Sequence, residues 1–512
     1  MKTAATQIRL NAQAIYDGLG SNRKVGGEYW KLLFDANGAI IRSDLDELET
    51  EACHAHPLVG FYRDFAHRTG REETDLFVPY GTTVPVINDI GVLEAFVDLG
   101  EFRNMPVFRL AAARSQYRLD PRRLTIGILT AGGNAPGINT VIDSIVKRHS
   151  LLATLLGAKK RSDGAVEGLH FRGYVGGYTG LLDGKQMELT VAITDAVSVA
   201  AGSLLKMQRG QTPTDENERR ALASRMAEAV RRDMLDILYV VGGNGTIRAA
   251  DAVAGALGDA VGPQGHRVRV LAAPKTMDND INFTDVTFGF RTTVNSAVEL
   301  LRRIHLEAES CCRIGIAELF GAGSGFVALH AASGTGDADY VLIPEMMGTT
   351  EQERQAELQR AAKHLVERFG KKNHALLVAA EGASLSEQFK HGASASKKHA
   401  FEEMVVQLVD FMKQAGCPEP PVFTSRPQHL IRSIPPDPFD IDLCKQTGKL
   451  LVDSALAGFG RCVVSLWQGR FCLVPMSLAV AQLKQVNITG YYAASVMEKY
   501  HLPQASIDPS IP

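Results

Sequence analysis

The chain has 512 residues, of which 45% are hydrophobic and 22% charged, and its 55 lysines and arginines stand against 57 aspartates and glutamates for a formal net charge of −2. At about 150 residues per domain, this length allows two to four domains with large cores, and the charge balance argues against broad attraction to nucleic acid or a membrane surface. No apolar run approaches the roughly 18 to 20 residues of a spanning helix, and the stretch from Met1 to Leu10 lacks the hydrophobic core of a signal peptide.

Residues 1–120 mix helical stretches with loops, include a polar, turn-forming segment at 77–89, and carry no evident reaction; they read as an N-terminal extension. Cys53, His54 and His56 match no closed zinc spacing and fit an ordinary helix or loop. The seven cysteines are scattered, with no Cys-x-x-Cys pair, so a disulfide framework is not expected and a reducing, cytoplasmic compartment is. From Leu124 onward, short apolar runs alternate with helical patterns, the signature of an α/β fold with a helix-covered parallel sheet. Strands are predicted at 124–130, 237–241, 268–272, 314–319 and 375–380, and helices at 216–232, 291–310 and 352–369. The Ser-, Lys- and Ala-rich stretch 383–400 is predicted to be an exposed loop.

Almost every strand ends in a Gly- or Asx-rich turn, and ligands of open α/β sheets bind at those carboxyl ends. The first such turn, Gly132-Gly133-Asn134-Ala135-Pro136-Gly137, opens a helix whose free N–H groups attract phosphate; the alternative is a tight strand-to-helix turn. Gly242-Gly243-Asn244-Gly245-Thr246 repeats the arrangement, and neither turn matches a P-loop. Pro274-Lys275-Thr276-Met277-Asp278-Asn279-Asp280 gathers a cation, a hydroxyl and two carboxylates. One carboxylate suits proton abstraction and the other magnesium, while the alternative is an Asx turn beside a solvated lysine. Gly321-Ala322-Gly323-Ser324-Gly325 is a weak dinucleotide signal and is equally a structural turn.

Taken together, from about Leu124 to Met476, these turns resemble the phosphofructokinase family in order and spacing. Its Gly-Gly-x-x-Pro-Gly-x-Asn turn is matched at 132–139, its Gly-Gly-Asp-Gly-Ser/Thr at 242–246 with one change, and its Pro-Lys/Gly-Thr-Ile-Asp-Asn-Asp at 274–280. The segment 287–293, Thr-Phe-Gly-Phe-Arg-Thr-Thr, matches a further family signature. The extension, Lys275, the stretch 383–400 and the segment 429–436 look most like the long ATP-dependent enzymes of trypanosomes and plants. The resemblance implies two Rossmann-like three-layer domains with parallel-rich sheets and an active site between them. Residues 121–290 with 433–482 would bind nucleotide, and 291–432 with 483–512 the sugar phosphate. It further implies a homo-oligomer, dimer or tetramer, in cytoplasmic glycolysis, using ATP with Mg²⁺ to convert fructose 6-phosphate to fructose 1,6-bisphosphate.

Residue by residue, the resemblance makes Asp278 the base at the sugar 1-hydroxyl and Thr276 a support for the transferring phosphoryl group. Asp280 becomes a magnesium ligand with Asn244, and Arg209 a contact of the donor phosphates. Gly132, Gly133, Gly243, Gly245, Thr246 and Lys275 would complete the nucleotide site. Glu381, Arg313, His429 and Arg432 would bind the sugar phosphate, some across a subunit interface, beside Phe320 and Gly321. Lys275 is shared with pyrophosphate users, whereas Gly245 matches the small residue that leaves room for a nucleotide.

Three segments depart from the pattern: Asn244 replaces an aspartate that assists magnesium, Phe320-Gly321-Ala322 replaces Met-Gly-Arg, and Lys206 occupies a position that is usually glycine. An arginine's charge-assisted hydrogen bond is worth about 1.5–3 kcal/mol, so its loss at 322 should cost roughly 10- to 150-fold in acceptor binding. The expected function is therefore ATP-dependent phosphoryl transfer with an altered acceptor site. Alternatives are a catalytically silent ligand sensor or regulatory subunit, motivated by Asn244 and Ala322, and a pyrophosphate-dependent enzyme, motivated by Lys275.

Overall fold

The computed structural model describes residues 46–47, 54–58, 83–85, 107–162, 164–208, 215–384 and 394–488. In chain order, β1 (Thr83–Pro85), β2 (Val107–Leu110) and β3 (Leu124–Thr130) lead to α1 (Ile138–Leu155), β4 (Leu169–Tyr174) and β5 (Gln186–Glu188). Then come α2 (Glu216–Arg232), β6 (Ile237–Gly242), α3 (Asn244–Leu257) and β7 (Arg269–Pro274). These are followed by α4 (Phe290–Ser310), β8 (Ile314–Leu319), α5 (Phe326–Thr335), β9 (Tyr340–Leu342), α6 (Glu351–Lys372) and β10 (Ala375–Ala380). The last elements are α7 (Ser394–Gln414), β11 (Val422–Ser425), α8 (Pro438–Leu456), β12 (Cys462–Trp467) and β13 (Arg470–Pro475).

The described residues fall into two compact units, one within Met1–Thr276, Ile281–Gly289 and Ile434–Gln482, the other within Met277–Asp280, Phe290–Ser433 and Leu483–Pro512. The first is built on a nine-stranded sheet in the order β1-β2-β13-β12-β7-β6-β3-β4-β5. Its centre, β12-β7-β6-β3-β4, is parallel, and the outer strands at both edges run antiparallel. β6 and β7 are buried at every residue, and apolar apart from Arg269 at the start of β7, because both faces of the sheet are covered. Ile237, Tyr239 and Val241 of β6 point into a core shared with Ile138, Val141 and Ile145 of α1 and with Leu451 and Leu456 of α8. Leu238 and Val240 point the other way, against Met226 and Val230 of α2 and Ile247 and Val253 of α3. This period of two is what a strand requires.

The second unit carries a four-stranded, all-parallel sheet in the order β9-β10-β8-β11. One face packs Ile314, Ile316, Leu377 and Ala379 against Leu358 and Leu365 of α6 and Met404 and Leu408 of α7. Helix ends follow local chemistry. Asp215 caps α2 by accepting from the Asn217 and Glu218 N–H groups, and α6 opens on a Thr350–Glu353 capping box. α6 stops at Asn373, whose φ of 58° is left-handed.

Several expectations need correction. The segment 77–89 is not simply a polar turn: Thr83–Pro85 is an edge strand paired with β2, with Val84 buried, and the rest of that segment lies outside the described residues. The stretch 383–400 is not an exposed loop where it is described. Ala383 and Ser384 are buried in a short 3₁₀ turn, and 394–400 form the opening turns of α7 with Ala400 buried. An Ala- and Lys-rich composition is compatible with a helix whose apolar side meets α6. The strand predicted at 268–272 runs instead from Arg269 to Pro274, because it pairs residue for residue with β6, Arg269 opposite Ile237 and Pro274 opposite Gly242. The six described cysteines are free thiols. No described helix is long and apolar enough to cross a membrane.

Candidate active site

In the first unit, the neighbouring strands β3, β6 and β7 deliver their carboxyl-end turns to one place, and Lys275 is where they meet. It is 3% exposed, donates its N–H to the Gly242 carbonyl at 3.0 Å and its Nζ to the Gly133 carbonyl. A β-carbon at Gly132 (φ 90°) would lie 3.3 Å from Lys275 Nζ and 3.5 Å from Thr246 Oγ1. One at Gly243 would lie 3.3 Å from the Lys275 carbonyl and 3.8 Å from Thr276 Cβ. The glycines thus leave a cradle that side chains would fill. α1 and α3 both start here with no side-chain cap, the kind of backbone donor site that holds phosphate. Gly245 is exposed, and a β-carbon there would meet nothing within 4 Å. The Thr276 carbonyl accepts from Thr287 Oγ1 at 2.5 Å, which fixes the turn from the downstream Thr-Phe-Gly-Phe segment.

Lys206 has a φ of 54° and is exposed, and its carbonyl accepts from Thr130 Oγ1 at 3.2 Å. The left-handed backbone explains why glycine suits this position: an L side chain pays about 1–2 kcal/mol there. Arg209 lies outside the described residues. Within the first unit the sequence candidates Gly132, Gly133, Gly243, Asn244, Gly245, Thr246, Lys275 and Thr276 are therefore brought together.

The unit boundary falls after Thr276, so Asp278 and Asp280 belong to the second unit. Asn279 between them is left-handed (φ 54°), and both carboxylates are half-buried. The Asp278 carbonyl accepts from Ser324 Oγ at 3.1 Å, which ties this turn to the glycine loop 321–325, and the Asp280 carbonyl accepts from the Lys484 N–H at 3.0 Å. Gly325 N–H in that loop is already committed to Glu345 Oε1 at 2.9 Å.

A second convergence lies at the carboxyl ends of β10, β8 and β11, again sheet neighbours. Gly382 N–H donates to the Gly321 carbonyl at 2.9 Å, placing Glu381 beside the Phe320-Gly321-Ala322 turn. Arg432, itself largely buried, stacks its guanidinium 4.4 Å from the Phe320 ring centroid, and an Arg432 nitrogen lies 2.9 Å from His429 Nδ1. Phe320 also meets the His429 ring at 5.8 Å. Phe320, Gly321, Glu381, His429 and Arg432 thus share one end of the sheet. Arg313 does not: it precedes β8, on the order of 20 Å away along a six-residue strand. There it lies 3.8 Å from Glu307 and over the Phe423 ring.

Sequence reasoning missed the ion pair beneath this surface. Glu318 is buried and accepts from Arg426 Nε at 2.7 Å, while Arg426 also reaches Glu402 and lies over the Phe401 ring. Burial pushes the Glu318 carboxyl above its ordinary range, the Arg426 charge opposes that rise, and the nearby Glu381 charge adds to it. The available signal was an acidic residue inside an otherwise apolar strand. His56, from the cluster with Cys53 and His54, is buried, with Nδ1 accepting from Leu58 N–H at 3.0 Å and Nε2 3.3 Å from Arg148. Cys53 lies outside the described residues.

The phosphofructokinase family matches residues 125–455. The ATP-dependent 6-phosphofructokinase of Amycolatopsis methanolica is 30% identical over 405 residues, covering 77% of this chain and 82% of that protein. That of Trypanosoma brucei brucei is 31% identical over 400 residues, covering 76% and 75%. Among solved structures, the pyrophosphate-dependent phosphofructokinase of Marinobacter aquaeolei aligns with a TM-score of 0.56 at 16% identity, covering 74% of this chain and 90% of that one. The phosphofructokinase of Pichia pastoris in the T-state aligns with a TM-score of 0.55 at 22% identity over 74% of this chain, which spans 37% of that longer one.

Proposed function

Because this chain belongs to the phosphofructokinase family, we propose that it transfers the terminal phosphoryl group of ATP to the 1-hydroxyl of fructose 6-phosphate. The observation that carries the reading is the convergence of three glycine- and Asx-bearing turns on the buried Lys275. Two uncapped helix starts and a buried ammonium suit a polyphosphate, and the open space at Gly245 suits the nucleotide attached to it.

In this mechanism Asp278 takes the proton of the 1-hydroxyl as that oxygen attacks the terminal phosphorus, and the bond to the bridging oxygen breaks to release ADP. Lys275 and Thr276 stabilise the transferring group, with Arg209 at the donor phosphates. Catalysis is positional and electrostatic, since phosphoryl transfer needs little covalent help from a protein. The half-buried Asp280 carboxylate and the Asn244 side-chain oxygen are hard ligands that fit magnesium, and they would hold the ion that screens the donor's charge. Asn244 contributes no negative charge of its own. Glu381, Arg432 and His429 orient the sugar phosphate, with Phe320 as the platform under Arg432. Arg313, at the other end of its strand, would act on the sugar phosphate of a second subunit in a homo-oligomer. With Ala322 in place of arginine, the glycine loop supplies backbone N–H groups instead, and Gly325, held by Glu345, is not among them. Free thiols throughout the described cysteines suit a cytoplasmic glycolytic enzyme.

Asn244 and Ala322 favour a second reading, a homologue that binds ligand without turnover. The test is a product assay with magnesium, comparing ATP and pyrophosphate as donors across a panel of sugar phosphates. ATP-dependent fructose 1,6-bisphosphate formation is the expected outcome. No turnover with any acceptor overturns it, ATP binding alone supports the sensor, and activity with pyrophosphate only transfers the assignment to the pyrophosphate-dependent class.

A further inference from the structure

We propose that His305, Glu309 and His374 form a binding site for a divalent transition metal of the zinc class, distinct from the phosphoryl-transfer residues. One ligand atom of each side chain lies within 4.8 Å of the others. His305 and Glu309 are four residues apart on α4, so they share a face of that helix. His374 comes from the turn between α6 and β10. Its position is fixed on both sides: Asn373 N–H closes α6 on the Phe369 carbonyl at 2.8 Å, and Ala375 N–H bonds the Arg313 carbonyl at 3.2 Å. Arg313 N–H in turn bonds the Ala308 carbonyl at 2.8 Å, so the backbone links the two anchors directly.

The imidazoles are arranged as ligands rather than as a hydrogen-bonded pair. His374 is buried, with Nδ1 2.9 Å from the Lys372 carbonyl; in the tautomer that donates there, Nε2 presents its lone pair, the orientation typical of metal-bound histidines. His305 Nδ1 is buried and has no hydrogen-bond partner among the described residues. The rings meet edge to face with centroids 5.1 Å apart. The rival reading is a simple aromatic contact with a solvated Glu309, but it leaves that buried nitrogen unsatisfied. Two nitrogens and one carboxylate select zinc-like ions over magnesium, which demands oxygen ligands, and a water would fill the fourth position. The site sits at the amino end of the second unit's sheet, on the order of 20 Å along β10 from Glu381. It would clamp the end of α4 to the start of β10.

The test is equilibrium binding of Zn²⁺ to the chelator-treated full chain in excess Mg²⁺, with Co²⁺ absorption reporting coordination geometry. One saturable equivalent that Mg²⁺ does not displace is expected. His305→Gln and Glu309→Gln, both on a helix surface, should each weaken it by more than the about 10- to 100-fold lost with an outer hydrogen-bond partner. The double variant Cys311→Ser/Cys312→Ser should retain it. Absence of saturable Zn²⁺ binding overturns the proposal, as does binding that survives both the His305 and Glu309 substitutions or that is lost only with the cysteines.

Discussion

Replacing Ala322 by arginine tests the acceptor site directly. Ala322 is exposed, so a longer side chain has room. Its backbone is fixed: Gly321 holds a φ of 132°, and the Ala322 carbonyl abuts Gly382, where a β-carbon would come within 2.3 Å of it. The new guanidinium would therefore spring from a rigid point beside Glu381 and the Phe320–Arg432 stack. A charge-assisted hydrogen bond to the acceptor is worth about 1.5–3 kcal/mol. Competition from the half-buried Glu381, at a surface open to solvent at Ala322, removes about 0–1 kcal/mol of that. The net gain of about 0.5–3 kcal/mol corresponds to a roughly 2- to 150-fold lower KM for fructose 6-phosphate at saturating Mg-ATP. Ala322→Met, similar in reach but uncharged, should leave KM unchanged. An Ala322→Arg protein with native melting behaviour and an unaltered KM would refute the placement of the acceptor at this turn.

Asp278→Asn should lower kcat by about 10²–10⁴-fold, the usual worth of a general base, with ATP binding intact; near-normal kcat in a direct product assay would remove Asp278 from the base role. Phe320→Ala should raise the sugar-phosphate KM about 2- to 30-fold, since the Arg432 stack is worth roughly 0.5–2 kcal/mol; unchanged KM would mean that Arg432 does not need its platform. Burial holds His56 at about 4, His149 at about 3 and His330 at about 4, below the ordinary 6.5. As pH falls from about 6.5 towards 4 the unfolded chain gains protons that the folded chain refuses, so each histidine removes up to about 1.4 kcal/mol of stability per pH unit. Asp236, Glu318 and Glu345, pushed up by burial, act in the opposite sense over part of that window. Denaturant melts at pH 7 and pH 5 should show lower stability at pH 5, and equal or higher stability would contradict the histidine argument.

Elements whose information is local were legible in the amino-acid order. The strands Leu124–Thr130, Ile314–Leu319 and Ala375–Ala380 and the helix Glu216–Arg232 stand where apolar period and end-capping residues put them. The glycine turns were equally legible, because a left-handed or closely approached backbone admits few residue types. Tertiary structure alone decided what depends on partners far along the chain. Strand register moved β7 by pairing it with β6, and the helix that packs Met404 and Leu408 against α6 begins as early as Ser394. Lys275, read as a possible solvated side chain, became the buried centre of three turns. Phe320 acquired a role through Arg432, 112 residues later, and His374 met His305 across 69 residues. Periodicity and turn chemistry reach only a few residues along the chain, whereas a site is assembled where parallel strands end side by side, and no local pattern encodes which ends become neighbours.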